Sequence, residues 1–367
     1  MTISEDIKRV GYLYFLNKLL IIFLVFITRD VLDPFLPAIT DNMHPHVLFD
    51  SLIHWDAGWF LRIAGQGYDF DSAPFFPMFP FLIRALTLLT QSNVISGFLI
   101  SNIALFVACV FLYRLVKDDY KEDIAMTTVF VLLFFPTAIF FSSIYSESLL
   151  LAFSLGAFYY ARKDKFIIAA VFGALATLTR NIGVVTFFAL LYYFYEANGR
   201  KFDLKKSATL LIIPASLLIF MAILWKATGD LAFSTSLNRE YWGFRHFAYP
   251  GAGQFTNLAK FFTGGIFYCL FESGMAMLFL FLVIRSFKYI KDKSLLIFLV
   301  LGFLIPFSSV VGSTPLGMPR YIIVLFPGFI TLAHILHKHR LTQVFSTITI
   351  SVFSVITVLF VIGRWIS

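Results

Sequence analysis

Charged residues are scarce in this sequence. Asp, Glu, Lys and Arg make up 14% of the 367 residues, whereas a soluble domain has about 25%. The remainder is strongly apolar, with 59% hydrophobic residues and a mean hydropathy of +0.84. Because so little polar material is left for a soluble domain, the composition predicts a polytopic membrane protein.

Several common motifs are also missing. The two cysteines, Cys109 and Cys269, lie inside apolar runs, so we expect no disulfide framework. The sequence has no H-E-x-x-H or C-x-x-C pattern, no G-x-S-x-G elbow, no Walker loop and no dinucleotide fingerprint. These absences disfavour ATP hydrolysis and cytoplasmic nucleotide binding. We expect no metal site, no cofactor and, since no internal repeat or domain boundary is evident, one domain over 1–367.

The placement of basic residues predicts the topology. The net charge is +8, but Lys and Arg lie in short clusters between apolar runs, which is typical of membrane orientation and not of a nucleic-acid surface. With the N-terminus in the cytoplasm, most of the 29 basic residues fall in short cytoplasmic turns. The pattern predicts an all-α fold of about eleven spans, at roughly 10–28, 94–116, 124–142, 147–161, 166–179, 183–196, 207–227, 263–284, 294–311, 320–337 and 341–362.

Three of these spans are short and are expected to line a cavity: 147–161, 166–179 and 183–196. The last two must nevertheless be two separate passes, because the basic turns at 162–165 and 200–206 have to face the same side.

Two loops on the outer side are long, 29–93 and 228–262. In the first, Trp55 to Ala64 places aromatic and aliphatic residues on one helical face, and Gly65 and Gly67 are expected to stop that helix. The segment from Phe75 to Leu89 is apolar but begins with prolines, which favours an amphipathic helix lying in the outer interface.

The pair Trp55-Asp56 is the first candidate for chemistry. An aspartate beside an aromatic residue at the membrane boundary is partly desolvated, and a nearby cation can then set its pKa for use as a base. The alternative is an ordinary helix cap, for which Asp is a favoured residue.

Other acidic and histidine residues follow or precede this motif. Asp69 and Asp71 form a D-x-D pair, which suggests a metal and a nucleotide sugar but equally suits a polar turn before Pro74. Asp50 is similarly ambiguous. The histidines of this loop have a spacing that can ligate a metal, but no zinc motif accompanies them; they are His44, His46 and His54.

Arginines near membrane depth form the second set of candidates, because intramembrane charges are usually paired or functional and Arg binds phosphate through a planar fork. Arg180 and Arg320 each begin or end an apolar run on the side of Asp56. Snorkelling or ion pairing is the alternative, and Glu147 can serve either as such a partner or to position an acceptor hydroxyl. Arg239 and Arg245 belong to the same set, and further possible partners are Glu240 and Glu272.

Five segments together identify a family resemblance. In order they are HWDAGWFLRIAGQGY, APFFPMFP, FFPTAIFFSSIYSESLLL, ATLTRNIGVV and GMPRYIIVLFP. The chain resembles the GPI mannosyltransferase 2 (PIG-V) family, in a prokaryotic-type form, and is similar to the GT-C class of polytopic glycosyltransferases. The resemblance implies transfer of mannose from a polyprenyl or dolichyl phosphate to an acceptor hydroxyl on the lumenal or extracytoplasmic side. It also implies an essential acid in the first outer loop, at the position of Asp56.

The residues suit that chemistry. A sugar on a lipid phosphate already has a good leaving group, so the two carboxylates of a glycosidase are not needed. One base takes the acceptor proton, and cations hold the phosphate. We predict Asp56 as the base of an inverting displacement and Arg180, Arg245 and Arg320 as candidate phosphate ligands. Further predicted substrate-binding residues are Trp55, His54, Arg62, Asp69, Asp71, Glu147, Arg239 and Tyr321.

The expected partners are the lipid-phosphate mannose donor, a glycolipid or glycan acceptor and membrane lipid, with no nucleic acid. The expected location is the cell membrane of a prokaryote or the endoplasmic reticulum membrane of a eukaryote. Two other classes stay open: a flippase or transporter of lipids or lipid-linked sugars, and a non-catalytic subunit of a glycosylation complex. A transporter would also place charges at membrane depth, but the polar residues here gather at one face.

Overall fold

A computed structural model describes residues 3–32, 50–201, 203–229, 243–260, 266–315 and 317–366. These residues are mostly helical. The α-helices, numbered in chain order, are α1 Ile3–Ile27, α2 Asp56–Gln66, α3 Met78–Thr90, α4 Asn93–Asp119, α5 Glu122–Leu133, α6 Glu147–Ala161, α7 Phe166–Thr179, α8 Val185–Ala197, α9 Leu204–Thr209, α10 Ile212–Thr228, α11 Ala252–Ala259, α12 Ile266–Tyr289, α13 Lys293–Phe307, α14 Met318–Tyr321, α15 Phe326–His339 and α16 Thr342–Val361.

Among the described residues, five stretches are long and apolar enough to cross a membrane: Glu5–Val31, Asn93–Asp119, Ser207–Thr228, Ile266–Tyr289 and Thr342–Val361. A sixth candidate consists of two helical pieces, Met318–Val324 and Phe326–His339, bent by 85°. Each predicted span contains a helix, so the prediction of a helical, multi-pass fold is confirmed. A count of eleven complete crossings is not, because α6, α7, α8 and α13 are shorter than a bilayer requires.

Two predicted spans end earlier than expected. Helix α5 stops at Leu133 and not at 142, because Pro136 follows and disfavours helix in the residue before it. Helix α13 stops at Phe307, and the predicted helical continuation to 311 is wrong because Ser309–Val311 forms a strand.

The described residues therefore include a small antiparallel sheet that the all-α prediction omitted. Its strands are β1 Arg245–Phe247, β2 Ser309–Val311 and β3 Thr314–Pro315, in the order β1-β2-β3. Arg245 pairs with Val311, and Val311 pairs with Thr314. Valines have high strand propensity, and Gly312 takes the positive φ of +60° that the tight turn between β2 and β3 requires.

The two amphipathic helices of the first long loop are present, with shifted ends. Helix α2 continues to Gln66, so Gly65 does not stop it, and Gly67 at φ +86° ends it. Helix α3 begins at Met78 and not at Phe75. Both pack through buried faces, and Phe60 of α2 contacts Phe79 of α3 with ring centroids 5.0 Å apart.

Ion pairs join the basic turns at one end of the helix bundle. Arg162, after α6, contacts Asp119 of α4 at 2.7 Å and Asp292, before α13, at 2.8 Å. Lys293 lies 3.8 Å from Glu196 of α8. Helix α7 thus leaves this end and α8 returns to it, as the predicted pair of passes requires. Further pairs at this end are Arg114 and Lys117 with Asp6, and Arg9 with Glu122.

Candidate functional site

Asp56 lies at the start of α2, in a position that turns its side chain into the protein. The residue before it, Trp55, has a positive φ of 49° and makes no side-chain cap. A non-glycine residue in this region stores backbone strain, which is common at functional sites. Asp56 does not act as the helix cap; its Oδ2 lies 2.6 Å from Arg320 Nη2, and 22% of its side chain is exposed.

Glu147 lies beside this pair and joins a second arginine to it. The carboxylate is the first residue of α6, and only 2% of its side chain is exposed. Its Oε1 atom accepts a hydrogen bond from Arg180 Nη1 at 2.6 Å and another from Arg320 Nε. The four side chains form one row in the order Asp56, Arg320, Glu147 and Arg180, which we call the charge row.

The charge row is largely removed from solvent, so its members depend on one another. Arg320 is 6% exposed, and each of its charged contacts is with a carboxylate. Buried ions are tolerated only when paired and hydrogen-bonded. Aromatic rings cover the cations: Arg320 lies 4.6 Å from the ring centre of Tyr145, and Arg180 lies 4.8 Å from that of Tyr321, distances typical of cation–π contacts.

The backbone around both arginines is tightly constrained. Arg180 follows α7, and the next turn folds back so closely that a Cβ at Gly183 would lie 2.2 Å from the carbonyl of Ala176. The turn before Arg320 is held as well: Glu272 of α12 accepts a hydrogen bond from the Met318 amide at 2.6 Å. The Thr137 hydroxyl donates to the carbonyl of Pro319 at 2.6 Å.

Sequence reasoning treated Glu272 only as a possible ion-pair partner and did not find this role. The signal was a carboxylate inside an apolar span, which is expensive unless it has a structural or functional purpose. Tyr145 was also missed; its hydroxyl donates to the carbonyl of His54 at 2.9 Å and so ties the segment before α6 to the Trp55-Asp56 motif.

A cavity of about 590 Å³ opens directly on the charge row. Of the residues predicted from sequence, it is lined by Asp56, Arg180, Arg245, Arg320 and Tyr321. The rest of its wall is mainly aromatic and aliphatic. Such a concave, largely apolar site with a few convergent polar groups is typical of a small-molecule or cofactor pocket.

Other predicted residues lie away from this cavity. Arg62 forms an ion pair with Asp69, and both side chains are substantially exposed. Burial raises the pKa of Asp69, but hydrogen bonds from Ser72 and the Arg62 charge outweigh it, so the pKa lies below its ordinary value. Asp71 does not line the cavity. Asp69 and Asp71 therefore do not join the charge row.

Trp55 and His54 pack against the end of α16 and the residues after it. Trp55 packs edge-to-face against Phe360 and Trp365, with centroids 5.3 and 5.0 Å away. His54 packs against Phe360, and burial lowers its pKa despite hydrogen bonds to the backbone at Val361 and Ser51. Neither lines the cavity, so both position Asp56 and do not face the space beside it.

Some predicted positions cannot be placed. Arg239, Glu240, His44 and His46 lie outside the described residues, as does the side chain of Asp50. Within the described ranges, no group of three or more His, Cys, Asp or Glu side chains could hold a metal ion.

A sequence model described as mannosyltransferase (PIG-V) matches residues 12–251. The chain belongs to the PIG-V mannosyltransferase family. The match includes Asp56, Glu147 and Arg180, and it confirms the family resemblance found in the sequence.

The similar curated relatives are GPI mannosyltransferases 2 of fungi. The protein of Schizosaccharomyces pombe is 34% identical over 143 residues, which is 37% of this chain and 31% of the relative. That of Cryptococcus neoformans is 28% identical over 161 residues, 42% of this chain and 35% of the relative. The matched stretches thus span about a third of the length of these relatives.

The fold is similar to that of the archaeal oligosaccharyltransferase AglB from Archaeoglobus fulgidus, solved in complex with an inhibitory peptide and a dolichol-phosphate. The TM-score is 0.50 at 12% sequence identity, and the alignment covers 96% of this chain and 56% of AglB. At this identity the likeness concerns the fold alone, and it agrees with the helical membrane fold expected from the sequence.

Proposed function

We propose that this protein transfers a mannosyl residue from a polyprenyl- or dolichyl-phosphate donor to a hydroxyl of a glycolipid or glycan acceptor, with inversion at the anomeric carbon. One observation carries the proposal: two carboxylates and two arginines from four separate parts of the fold share one buried row that opens on one cavity. Family membership supports mannose as the transferred sugar.

The chemistry needs few groups. The acceptor oxygen attacks the anomeric carbon, its proton passes to the Asp56 carboxylate, and the bond from that carbon to the phosphate oxygen breaks with its electron pair going to the lipid phosphate. A base positioned in this way typically contributes about 10²- to 10⁴-fold to the rate. The departing phosphate requires fixed positive charge, which preorganised donors supply most effectively where water is excluded.

Arg180 and Arg320 are the proposed phosphate ligands, with Arg245 as a third from β1. A guanidinium carries five N–H donors, so Arg320 can hold Asp56 and Glu147 and still approach a phosphate oxygen. Glu147 keeps the two guanidinium groups together despite their like charges, because one carboxylate oxygen accepts from both. In this role Glu147 organises the phosphate site, while Tyr321 stacks on Arg180.

The charge distribution supports an extracytoplasmic site. Helix α6 carries Glu147 at its first residue and is followed by Arg162, and about fifteen residues of helix separate them by roughly 20 Å. Arg162 belongs to the ion-paired end, which the positive-inside rule assigns to the cytoplasm. We therefore place the charge row, and the catalytic loop 29–93, at the outer face of one transferase domain, with the second outer loop at 228–262.

The decisive test is mannosyl transfer by the purified full chain in detergent, with radiolabelled polyprenyl-phosphate mannose and a glycolipid acceptor mixture. Wild type should form a labelled product, and Asp56→Asn should lose at least about 100-fold in kcat. Asp69→Asn is the matched control, since that carboxylate lies outside the cavity and should retain activity.

Two results would overturn the proposal. Full transfer by a folded Asp56→Asn protein would remove the assigned base. Movement of labelled donor across a vesicle membrane without any product would indicate a flippase in place of a transferase.

A further inference from the structure

One part of the cavity wall is a residue that follows helix α16. Trp365 lines the cavity together with Asp56, and half of its surface, 50%, is exposed. It lies beyond the stretch 12–251 that the family model matches. A half-exposed indole that shares a cavity with the charge row is available to contact a substrate.

The segment that carries Trp365 is fixed in place by its backbone. Helix α16 ends in a Schellman motif, in which Gly363, at φ +72°, donates to the carbonyl of Phe360 and Arg364 donates to that of Leu359, both at 2.9 Å. The motif sends the chain back toward the protein, where Ile366 is buried at 2% exposure. Trp365 is thus held between two anchored residues.

The indole is also held from the side. It packs against Trp55 at 5.0 Å with an interplanar angle of 89°, and Tyr268, near the start of α12, lines the same cavity. Because the two indole planes are perpendicular, Trp55 covers at most one face of the Trp365 ring. The ring is therefore oriented, and half of its surface stays open to another contact.

Trp365 lies at the Asp56 end of the charge row. It contacts Trp55, the residue before Asp56, whereas Arg180 is at the opposite end of the row, beyond Glu147. A donor phosphate held by Arg180 and Arg320 leaves the Asp56 end for the acceptor, because the base must reach the acceptor hydroxyl.

The chemistry of this end suits a sugar. A hexopyranose ring presents axial C–H bonds on one face, which makes that face apolar and lets it pack flat on an indole, while its hydroxyls point outward from the ring edge. Tyr268 lines the same cavity and adds a hydroxyl group to it. A hexose lying on the indole would direct an edge hydroxyl toward the neighbouring Asp56.

We propose that Trp365 and Tyr268 form an acceptor platform that holds a hexopyranosyl unit of the acceptor glycan beside Asp56. This inference rests on the mannosyl transfer proposed above and names the class of acceptor that it uses.

The kinetic test compares Trp365→Ala and Trp365→Phe with wild type at saturating lipid-phosphate mannose. Trp365→Ala should raise the acceptor KM about tenfold, with kcat and donor KM within about twofold of wild type, and Trp365→Phe should restore most of the affinity because it keeps an aromatic face. The matched control is Trp225→Ala on α10, since Trp225 is 60% exposed but does not line the cavity. A fall in kcat at unchanged acceptor KM, or an equal effect of Trp225→Ala, would overturn the platform.

A binding readout separates this inference from the proposed activity. Octyl mannoside titrated into the detergent-purified full chain should quench tryptophan fluorescence saturably in wild type, Asp56→Asn and Trp225→Ala, but not in Trp365→Ala. If the wild-type protein showed this quench but formed no transfer product, the mannosyltransferase proposal would be wrong and the sugar platform would remain supported. An unsaturable quench that is the same in all four proteins would defeat the platform while transfer continues.

Discussion

Arg320 Nη2 lies 2.6 Å from Asp56 Oδ2, although the two residues are at nearly opposite ends of the chain. The same guanidinium donates through Nε to Glu147. The carboxylate that the sequence motif singled out is therefore held by an arginine from the bent helix pair near the end of the chain. The geometry of both side chains depends on a third residue, Glu147 at the start of α6. Four consequences of this arrangement can be measured.

Removal of Glu147 should destabilise the fold strongly. Glu147→Ala leaves Arg180 and Arg320 buried beside each other without their shared partner, and breaking a buried pair in this way costs about 3–5 kcal/mol. Thermal unfolding in detergent should show a large fall in Tm. Asp118→Ala is the control, because its pair with Lys163 is about half exposed and should contribute less than about 1 kcal/mol. Equal shifts for the two variants would show that the charge row is not a stabilising unit.

Replacement of Arg320 by Lys should preserve the fold but impair transfer. The ammonium keeps the positive charge but cannot present the planar fork that contacts Asp56 and Glu147 together. We expect kcat/KM for the lipid-phosphate donor to fall by about tenfold to a hundredfold, since a hydrogen bond to a charged group contributes about 1.5–3 kcal/mol. Arg62→Lys, at an exposed pair outside the cavity, should change it by less than about twofold. Wild-type kinetics for Arg320→Lys would remove the fork from the mechanism.

Glu272 should act as a positioning residue through the turn that precedes Arg320. Glu272→Gln keeps an oxygen that can accept from the Met318 amide, so its kcat should stay within a few-fold of wild type. Glu272→Leu removes the acceptor and leaves a buried N–H unsatisfied, which costs about 1–3 kcal/mol, and kcat should fall by about tenfold or more. Rescue by Gln but not by Leu separates a hydrogen-bonding role from a need for negative charge, and equal loss in both variants would contradict it.

Gly183→Ala should disturb Arg180 without touching it. The added methyl group would lie 2.2 Å from the carbonyl of Ala176, so the turn after α7 must shift, at a cost of about 1–3 kcal/mol for overpacking. Both Tm and transfer activity should fall. Gly274→Ala in α12 is the control, since a Cβ there meets nothing within 4 Å and should stabilise the helix by up to about 1 kcal/mol. An unchanged Tm for Gly183→Ala would show that the turn has room to adapt.

Most helices could be predicted from the sequence because their signals are local. The start of α6 at Glu147, the limits of α7 and the amphipathic character of α2 and α3 follow from runs of apolar residues with polar or glycine boundaries. The missed sheet is an error of a different kind, because a long-range contact contributes to it. The strand Ser309–Val311 pairs locally with Thr314–Pro315 but also with Arg245–Phe247, and that second partner is remote in sequence.

The candidate site was predictable only in part, for the same reason. The motif around Trp55-Asp56 and the apolar setting of Arg180 and Arg320 mark those residues individually. No local pattern shows which carboxylate each arginine contacts. The sequence marked Arg62 and Asp69 as well as Arg180 and Glu147. In the structure the first pair is exposed and the second is buried.

By itself, the sequence determined the membrane character, the helices, the family and the aspartate at the centre of the proposed chemistry, because composition, periodicity and a specific motif are properties of neighbouring residues. Only the tertiary structure decided that Glu147 bridges two arginines, that Glu272 holds the turn before one of them, and that Trp365 faces the same cavity. Glu147 and Arg320, for example, are 173 positions apart. Such contacts arise when distant helix ends are packed together and buried charges must find partners.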